Sequence, residues 1–85
     1  MPDDALSLVA LGRVLRARGG SDALDRARES FERAIELDPC CASAYRELGF
    51  ALKAMGRAEE ARAALTRYLE LVPEASDAER VRKAM

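Results

Sequence analysis

The residues best suited to chemistry in this 85-residue chain are two adjacent cysteines and a set of arginines. The chain has no histidine, so Cys40 or Cys41 would lack the usual base of a cysteine nucleophile. Neighbouring cysteines do not suit a spanning disulfide, and no second cysteine pair exists to complete a zinc site. The Gly19-Gly20 pair lacks the following Gly-Lys-Ser or Gly-Lys-Thr of a phosphate-binding loop. We therefore predict reduced cysteines, no metal, no cofactor and no enzymatic activity.

The charges of the chain nearly cancel, because 14 basic side chains face 15 acidic ones and the formal net charge is −1. This balance, together with few aromatic residues and acidic helices, argues against nucleic acid as a partner. No run approaches the roughly 18 apolar residues that a transmembrane helix needs, and the acidic start MPDDALSL differs from a basic signal peptide. We predict a cytoplasmic protein without nucleic-acid or membrane partners.

Apolar residues at helical spacing predict a first pair of helices. The first, over about residues 4–17, would be capped by Asp3 or Asp4 and end at Gly19-Gly20. Its predicted buried stripe consists of Leu8, Leu11, Gly12 and Leu15. The second helix would be capped by Ser21 or Asp22. It would end at Asp38 and Pro39, because the residue before a proline is pushed out of helical backbone angles.

The same spacing predicts three more helices. The third, over about residues 41–55, would be closed by Gly56 in a left-handed conformation. The fourth, over about residues 58–71, would stop before Pro73. Ser76 and Glu79 have the spacing of a capping box, so a short fifth helix is expected to begin there. Because such a helix is marginal alone in water, it must dock on the fourth helix.

The first two helices and the next two contain the same order of residues. The order in the first half is Leu8, Leu11, Gly12, Leu15, Ala27, Phe31 and Pro39. The order in the second half is Tyr45, Leu48, Gly49, Leu52, Ala61, Leu65 and Pro73. Both resemble the tetratricopeptide repeat, a unit of about 34 residues with the pattern W-x2-L-G-x2-Y, then A-x3-F, then P. The resemblance covers about residues 5–75.

The resemblance implies an all-α fold of two helix-turn-helix hairpins and a C-terminal capping helix, five helices that form a piece of a right-handed α-solenoid. Residues 1–85 would be one domain, with repeats at 5–41 and 42–75 and the capping helix at 76–85. Close helix packing explains the small residues, and we expect Gly12 to face Ala27 and Gly49 to face Ala61.

Three positions depart from the family pattern. About three extra residues lie in the first turn, around Gly20 to Asp22, where insertion costs little. Leu8 replaces an aromatic residue. Tyr68 stands where the family usually has a small alanine, so we do not expect a further full repeat to stack after the second.

Proteins of this family generally line a concave groove with their first helices and hold a peptide or a partner helix there. Carried over by position, the groove residues of this chain would be Leu6, Val9, Arg13, Arg16, Ser43, Arg46, Phe50, Lys53, Asp77 and Arg80. An acidic peptide fits this set, because arginines hold carboxylates by bidentate hydrogen bonds and an exposed aromatic adds contact area. The predicted binding residues are Arg13, Arg16, Arg46, Phe50, Lys53 and Arg80.

Two alternatives remain open at this stage. The basic side chains are also what a solvated helix face contains, and Phe50 would then pack against the fifth helix or a second copy. For function, we predict a non-catalytic adaptor or scaffold that binds a protein or peptide. The alternative is a self-assembly module, since about three repeats usually complete a core and this chain has two. A symmetric homodimer is the commonest solution to that problem.

Overall fold

The computed structural model describes residues 4–85 and contains five α-helices within that range. They are α1 (Ala5–Arg18), α2 (Ser21–Leu37), α3 (Ala42–Ala54), α4 (Ala58–Leu71) and α5 (Ala78–Ala84). Residues 4–85 include no strand. α1 packs on α2, α3 packs on α4, and α3 also contacts both helices of the first hairpin. The predicted all-α, solenoid-like fold is therefore confirmed.

The start of α1 agrees with the sequence-based prediction, whereas the start of α2 does not. The Asp4 carboxylate accepts hydrogen bonds from the backbone N–H of Ser7 at 2.8 Å and from its hydroxyl at 2.9 Å. These bonds lower the pKa of Asp4. The predicted Asp3 cap lies outside the described residues. At α2 no side chain caps the helix, because Gly20, with φ of 86°, leads the chain directly into it and Ser21 already lies inside.

Gly56 closes α3 as predicted, whereas the capping box proposed for α5 was wrong. Gly56 has φ of 80°, and the N–H of Arg57 donates to the Leu52 carbonyl at 2.9 Å. α5 begins at Ala78 and its first turn has no side-chain cap. The reason is that the neighbouring Asp77 carboxylate is bonded to side chains of other helices, and Ser76 precedes the turn that starts the helix.

The helices of each hairpin approach closely at a glycine. A Cβ atom placed on Gly12 would overlap the Phe31 ring, so Phe31 rather than the predicted Ala27 supplies the nearest atoms. At Gly49 a Cβ would overlap the Leu65 side chain and lie 3.3 Å from the Ala61 carbonyl oxygen. The contact expected between Gly49 and the backbone of Ala61 is therefore present. In both hairpins the glycine provides the space for a large residue of the second helix.

The buried residues form two clusters. The larger joins the two repeats and includes Leu8, Leu15, Phe31, Ala44, Leu48 and Leu52. The smaller places Val81 of α5 against Leu65 and Tyr68 of α4. Leu11, predicted to be buried, is 42% exposed, because α1 contacts α2 and α3 on its other sides. Among residues 4–85, no helix has both the length and the apolar character required to cross a membrane.

Gly49→Ala tests the close approach of α3 and α4. We expect this substitution to lower the free energy of unfolding by about 1–3 kcal/mol, because the added methyl group overpacks the contact with Leu65. Helix propensity alone predicts the opposite sign, since alanine is favoured over glycine by about 1 kcal/mol. Urea unfolding followed by circular dichroism measures the difference.

The matched control is Ala63→Gly at an exposed position of α4, which reports the propensity difference without the packing change. Unchanged or increased stability of Gly49→Ala would show that the helices can separate without cost.

Candidate partner-binding groove

A shallow depression lies between α1 and α3. It has a volume of about 230 Å³ and is lined by Leu6, Val9, Ala10, Arg13, Ser43, Arg46 and Glu47. A neighbouring depression of about 390 Å³ is lined by Arg13, Arg16, Ala17, Gly19, Leu24, Phe50 and Ala54. Arg13 borders both. We call the two depressions together the α1–α3 groove.

Glu47 is the buried acidic residue of this groove, with only 3% of its surface exposed. Its Oε1 atom lies 3.1 Å from Nε of Arg13 and 3.5 Å from Nη2 of Arg16. Its Oε2 atom lies 2.9 Å from Nη1 of Arg46. Two of these guanidinium groups belong to α1 and one to α3. A single carboxylate therefore joins the first helices of the two repeats and positions three of the predicted binding residues.

The sequence-based groove prediction did not include Glu47. Its spacing in the sequence nevertheless indicates that it is buried. Glu47 follows Ala44 by three positions and precedes Ala51 by four, and both alanines are fully buried. A carboxylate on such a stripe requires nearby cations or hydrogen-bond donors, because burying an unpaired charge is costly. What the spacing does not reveal is that the cations come partly from α1.

Phe50 is half-buried rather than exposed among the arginines as predicted. The guanidinium carbons of Arg46 and Arg16 lie 5.1 Å and 5.8 Å from the centre of its ring. Both distances are within the approximately 6 Å range of cation–π contacts. The ring also packs on the cluster of α4 and α5 that contains Val81. Phe50 therefore packs on a cluster to which both α4 and α5 contribute, and the binding role predicted for it stays a prediction.

Asp77 connects the groove to α5. Its carboxylate accepts hydrogen bonds from the Tyr68 hydroxyl at 2.6 Å and from Nε of Arg46 at 2.5 Å. The bond from Tyr68, followed by the bond from Arg46, lowers the pKa of Asp77. Burial, followed by the bond to Asp77, raises the pKa of Tyr68. Arg46 thus contacts both Glu47 and Asp77 and links α3 to the start of α5.

The remaining predicted basic residues lie near or on α5. Nζ of Lys53 donates a hydrogen bond to the Ala84 carbonyl oxygen at 2.8 Å, close to the end of that helix. Arg80 is exposed on α5. The structure therefore groups Arg13, Arg16, Arg46 and Phe50 closely, whereas Lys53 and Arg80 belong to the α5 side of the surface.

The charge of this surface is positive although the chain as a whole is not. The five basic side chains predicted for the groove accompany two acidic ones, Glu47 and Asp77, and both acids are bonded to Arg46. Residues 4–85 contain no group of three or more histidine, cysteine or acidic side chains that could hold a metal ion. The polar groups that the structure places in the groove are therefore mainly guanidinium groups, three of which surround the Glu47 carboxylate.

Stacked helical hairpins with a groove between their first helices define the class of helical-repeat proteins. A family model for the tetratricopeptide repeat matches residues 16–85, and the chain belongs to that family. A comparison with curated proteins gives no match. Members of the family generally mediate protein–protein interactions and are typically not catalytic. The division into repeats at 5–41 and 42–75 with a cap at 76–85 stays a prediction.

Asp77→Asn tests how α5 is held. Because the pKa of Asp77 is lower in the folded chain than its ordinary value of 3.8, its carboxylate stabilises the fold above about that pH. This contribution is lost as the pH falls through the lower, folded-state value. At neutral pH we expect Asp77→Asn to reduce the free energy of unfolding by roughly 1.5–3 kcal/mol, the usual size for hydrogen bonds to a charged group.

The measurement is urea unfolding of both proteins from neutral to strongly acidic pH, with Asp25→Asn, an exposed aspartate of α2, as the control. The difference between wild type and Asp77→Asn should shrink below about pH 3.8. A difference that does not depend on pH would contradict this role of the carboxylate.

Proposed function

We propose that this protein is a non-catalytic adaptor that binds an acidic segment of a partner protein in the α1–α3 groove. The observation that supports the proposal is the set of three guanidinium groups around the Glu47 carboxylate. Family membership supports the coarser part, binding of a protein partner. The cytoplasm stays the predicted location.

Arg13 is the residue best placed to contact a partner. It meets Glu47 through Nε, and 66% of its side chain is exposed, so its Nη1 and Nη2 groups remain accessible. A guanidinium has five N–H donors and one contact leaves most of them available. Glu47 also keeps the array ordered before a partner arrives, which reduces the entropy lost on binding.

The apolar residues that line the groove restrict the kind of ligand that we expect. Leu6 is 71% exposed and borders the same depression as Arg13, with Val9 and Ala10 beside it. An acidic segment that also carries an apolar side chain would place its carboxylate at Arg13 and its apolar group on Leu6. Contacts of this mixed kind provide specificity through charge and affinity through buried apolar area.

A second candidate function, self-assembly, is favoured by a different surface. The side of α1 that carries Leu11 and Val14 is exposed and apolar, and Val14 also borders a depression lined by Arg13 and Arg16. Association of two copies through that side would leave Arg13 accessible, so the two functions are compatible.

Arg13→Gln tests the groove. We expect this variant to bind a short, fluorescently labelled Asp- and Glu-rich peptide containing leucine about two- to fivefold more weakly, the effect of one solvent-exposed charge contact. The fold should be retained, because Arg16 and Arg46 still contact Glu47. Fluorescence anisotropy measures the affinity. The control peptide has the same length and composition, with Asn and Gln in place of the acids.

The matched control variant is Arg62→Gln, which removes an exposed arginine from α4. Equal affinity for the acidic and the amide peptide, or equal weakening by the two arginine variants, would overturn the groove proposal. Affinity for the acidic peptide should also fall as salt is added, since solvent-exposed charges are screened.

A further inference from the structure

Five residues form an exposed stripe along α1. They are Asp4, Ser7, Leu11, Val14 and Arg18. The last four are spaced four, three and four residues apart, which places them on one face of α1, as in the contact seam of a coiled coil. Asp4 is the N-cap residue that precedes this face. Leu11 is 42% exposed and Val14 is 56% exposed. The stripe therefore has an apolar centre, an acidic N-terminal end and a basic C-terminal end.

The internal repeat indicates that this stripe is a helix-packing surface. Because Leu11 and Gly12 align with Leu48 and Gly49, the stripe aligns with five positions of the second repeat. These are Cys41, Ala44, Leu48, Ala51 and Met55. The first four are buried in the cluster that joins α3 to the first hairpin, with Leu48 only 8% exposed. The equivalent face of α1 is thus a stacking face, and within residues 4–85 no helix covers it.

The charges of the stripe favour a second copy of this chain as its occupant. If two α1 helices pair antiparallel about a two-fold axis near Leu11, Asp4 of each copy lies opposite Arg18 of the other. Leu11 then meets Leu11, and Val14 meets Ser7. Parallel pairing would instead bring like charges together at both ends. The charges at the two ends of the stripe are therefore complementary when two copies pair antiparallel.

Head-to-tail stacking of copies is disfavoured by α5. Its residues Glu79, Arg82 and Lys83 are charged, and all three are exposed. An apolar stripe docked on these charges would bury them without partners. A closed, symmetric pair uses only the stripe and leaves the charged end in water.

We propose that this protein forms an antiparallel homodimer through the α1 stripe of Asp4, Ser7, Leu11, Val14 and Arg18. The proposal rests on the self-assembly function above and is independent of peptide binding in the groove. Leu11 and Val14 provide the buried apolar area, and the terminal charges set the orientation. Since one helix from each copy forms the contact, the interface is small and its affinity is expected to be weak.

Light scattering after size-exclusion chromatography, from micromolar to millimolar protein, tests the association. The mass should rise from 9.3 kDa toward twice that value as concentration increases. Val14→Glu should remain monomeric. The matched control is Leu37→Glu at the end of α2, where an apolar residue is similarly exposed at 48% but lies outside the stripe, and this variant should dimerise as wild type.

Oxidative cross-linking tests the geometry in a Cys40→Ser background, which removes the exposed cysteine. Leu11→Cys should form a covalent dimer, because a residue near the two-fold axis faces its own copy within the roughly 4.4–6.8 Å Cα separation of a disulfide. Val14→Cys should not, because it faces Ser7.

Several results would overturn the proposal. A monomeric mass at every concentration would rule out the homodimer and, with it, the proposed self-assembly function. If Val14→Glu still dimerises, the contact does not lie at the stripe. The same conclusion follows if Val14→Glu and Leu37→Glu both abolish dimerisation. Equal cross-linking of the two cysteine variants excludes the antiparallel register. Peptide binding that depends on Arg13 would survive each of these results, so a failure of the dimer is distinguishable from a failure of the groove.

Discussion

The arrangement of this protein depends on one buried carboxylate and the arginines around it. Glu47 lies on the face of α3 that packs against the first hairpin, where an unpaired charge would be strongly destabilising. Arg13 and Arg16 of α1 and Arg46 of α3 pair with it. Arg46 then reaches Asp77, which also accepts the Tyr68 hydroxyl. A continuous polar network therefore runs from α1 through α3 to the start of α5, and the ion pairs that connect α1 to α3 also position the guanidinium groups of the groove.

The three sides of α1 lie in different surroundings. One side buries Leu8 and Leu15 in the core, and Gly12 on that side admits the Phe31 ring. A second side carries Arg13 and Arg16 into the groove. The third is the exposed stripe centred on Leu11. Because Arg13 and Arg16 are not part of the stripe, the proposed partner binding and the proposed self-association use different residues, although Val14 borders a depression that both arginines line.

Local features of the fold were predictable from the sequence, whereas contacts between distant helices were not. Helical spacing, the Gly56 turn and the repeated Leu-Gly pairs predicted five helices and the family. The capping box at Ser76 failed because Tyr68 and Arg46 bond the neighbouring Asp77, an interaction between helices that spacing along the chain does not encode. Leu11 was expected inside because it lies at helical spacing with Leu8 and Leu15, but burial of that face requires a preceding helix, as the burial of its repeat partner Leu48 shows. The role of Glu47 likewise emerges only when α1 and α3 are side by side.

The most direct test of this account is an NMR measurement of the arginine Nε–H groups in wild type and in Glu47→Met, which removes the carboxylate at similar side-chain length. The account predicts that the Arg13 Nε–H signal is ordered and slow to exchange with water in wild type and becomes mobile in the variant. The Arg46 Nε–H should stay ordered in both, since it donates to Asp77, and Glu60→Met on the surface of α4 should change neither. Equal mobility of Arg13 Nε–H with and without Glu47 would contradict the claim that this carboxylate organises the groove.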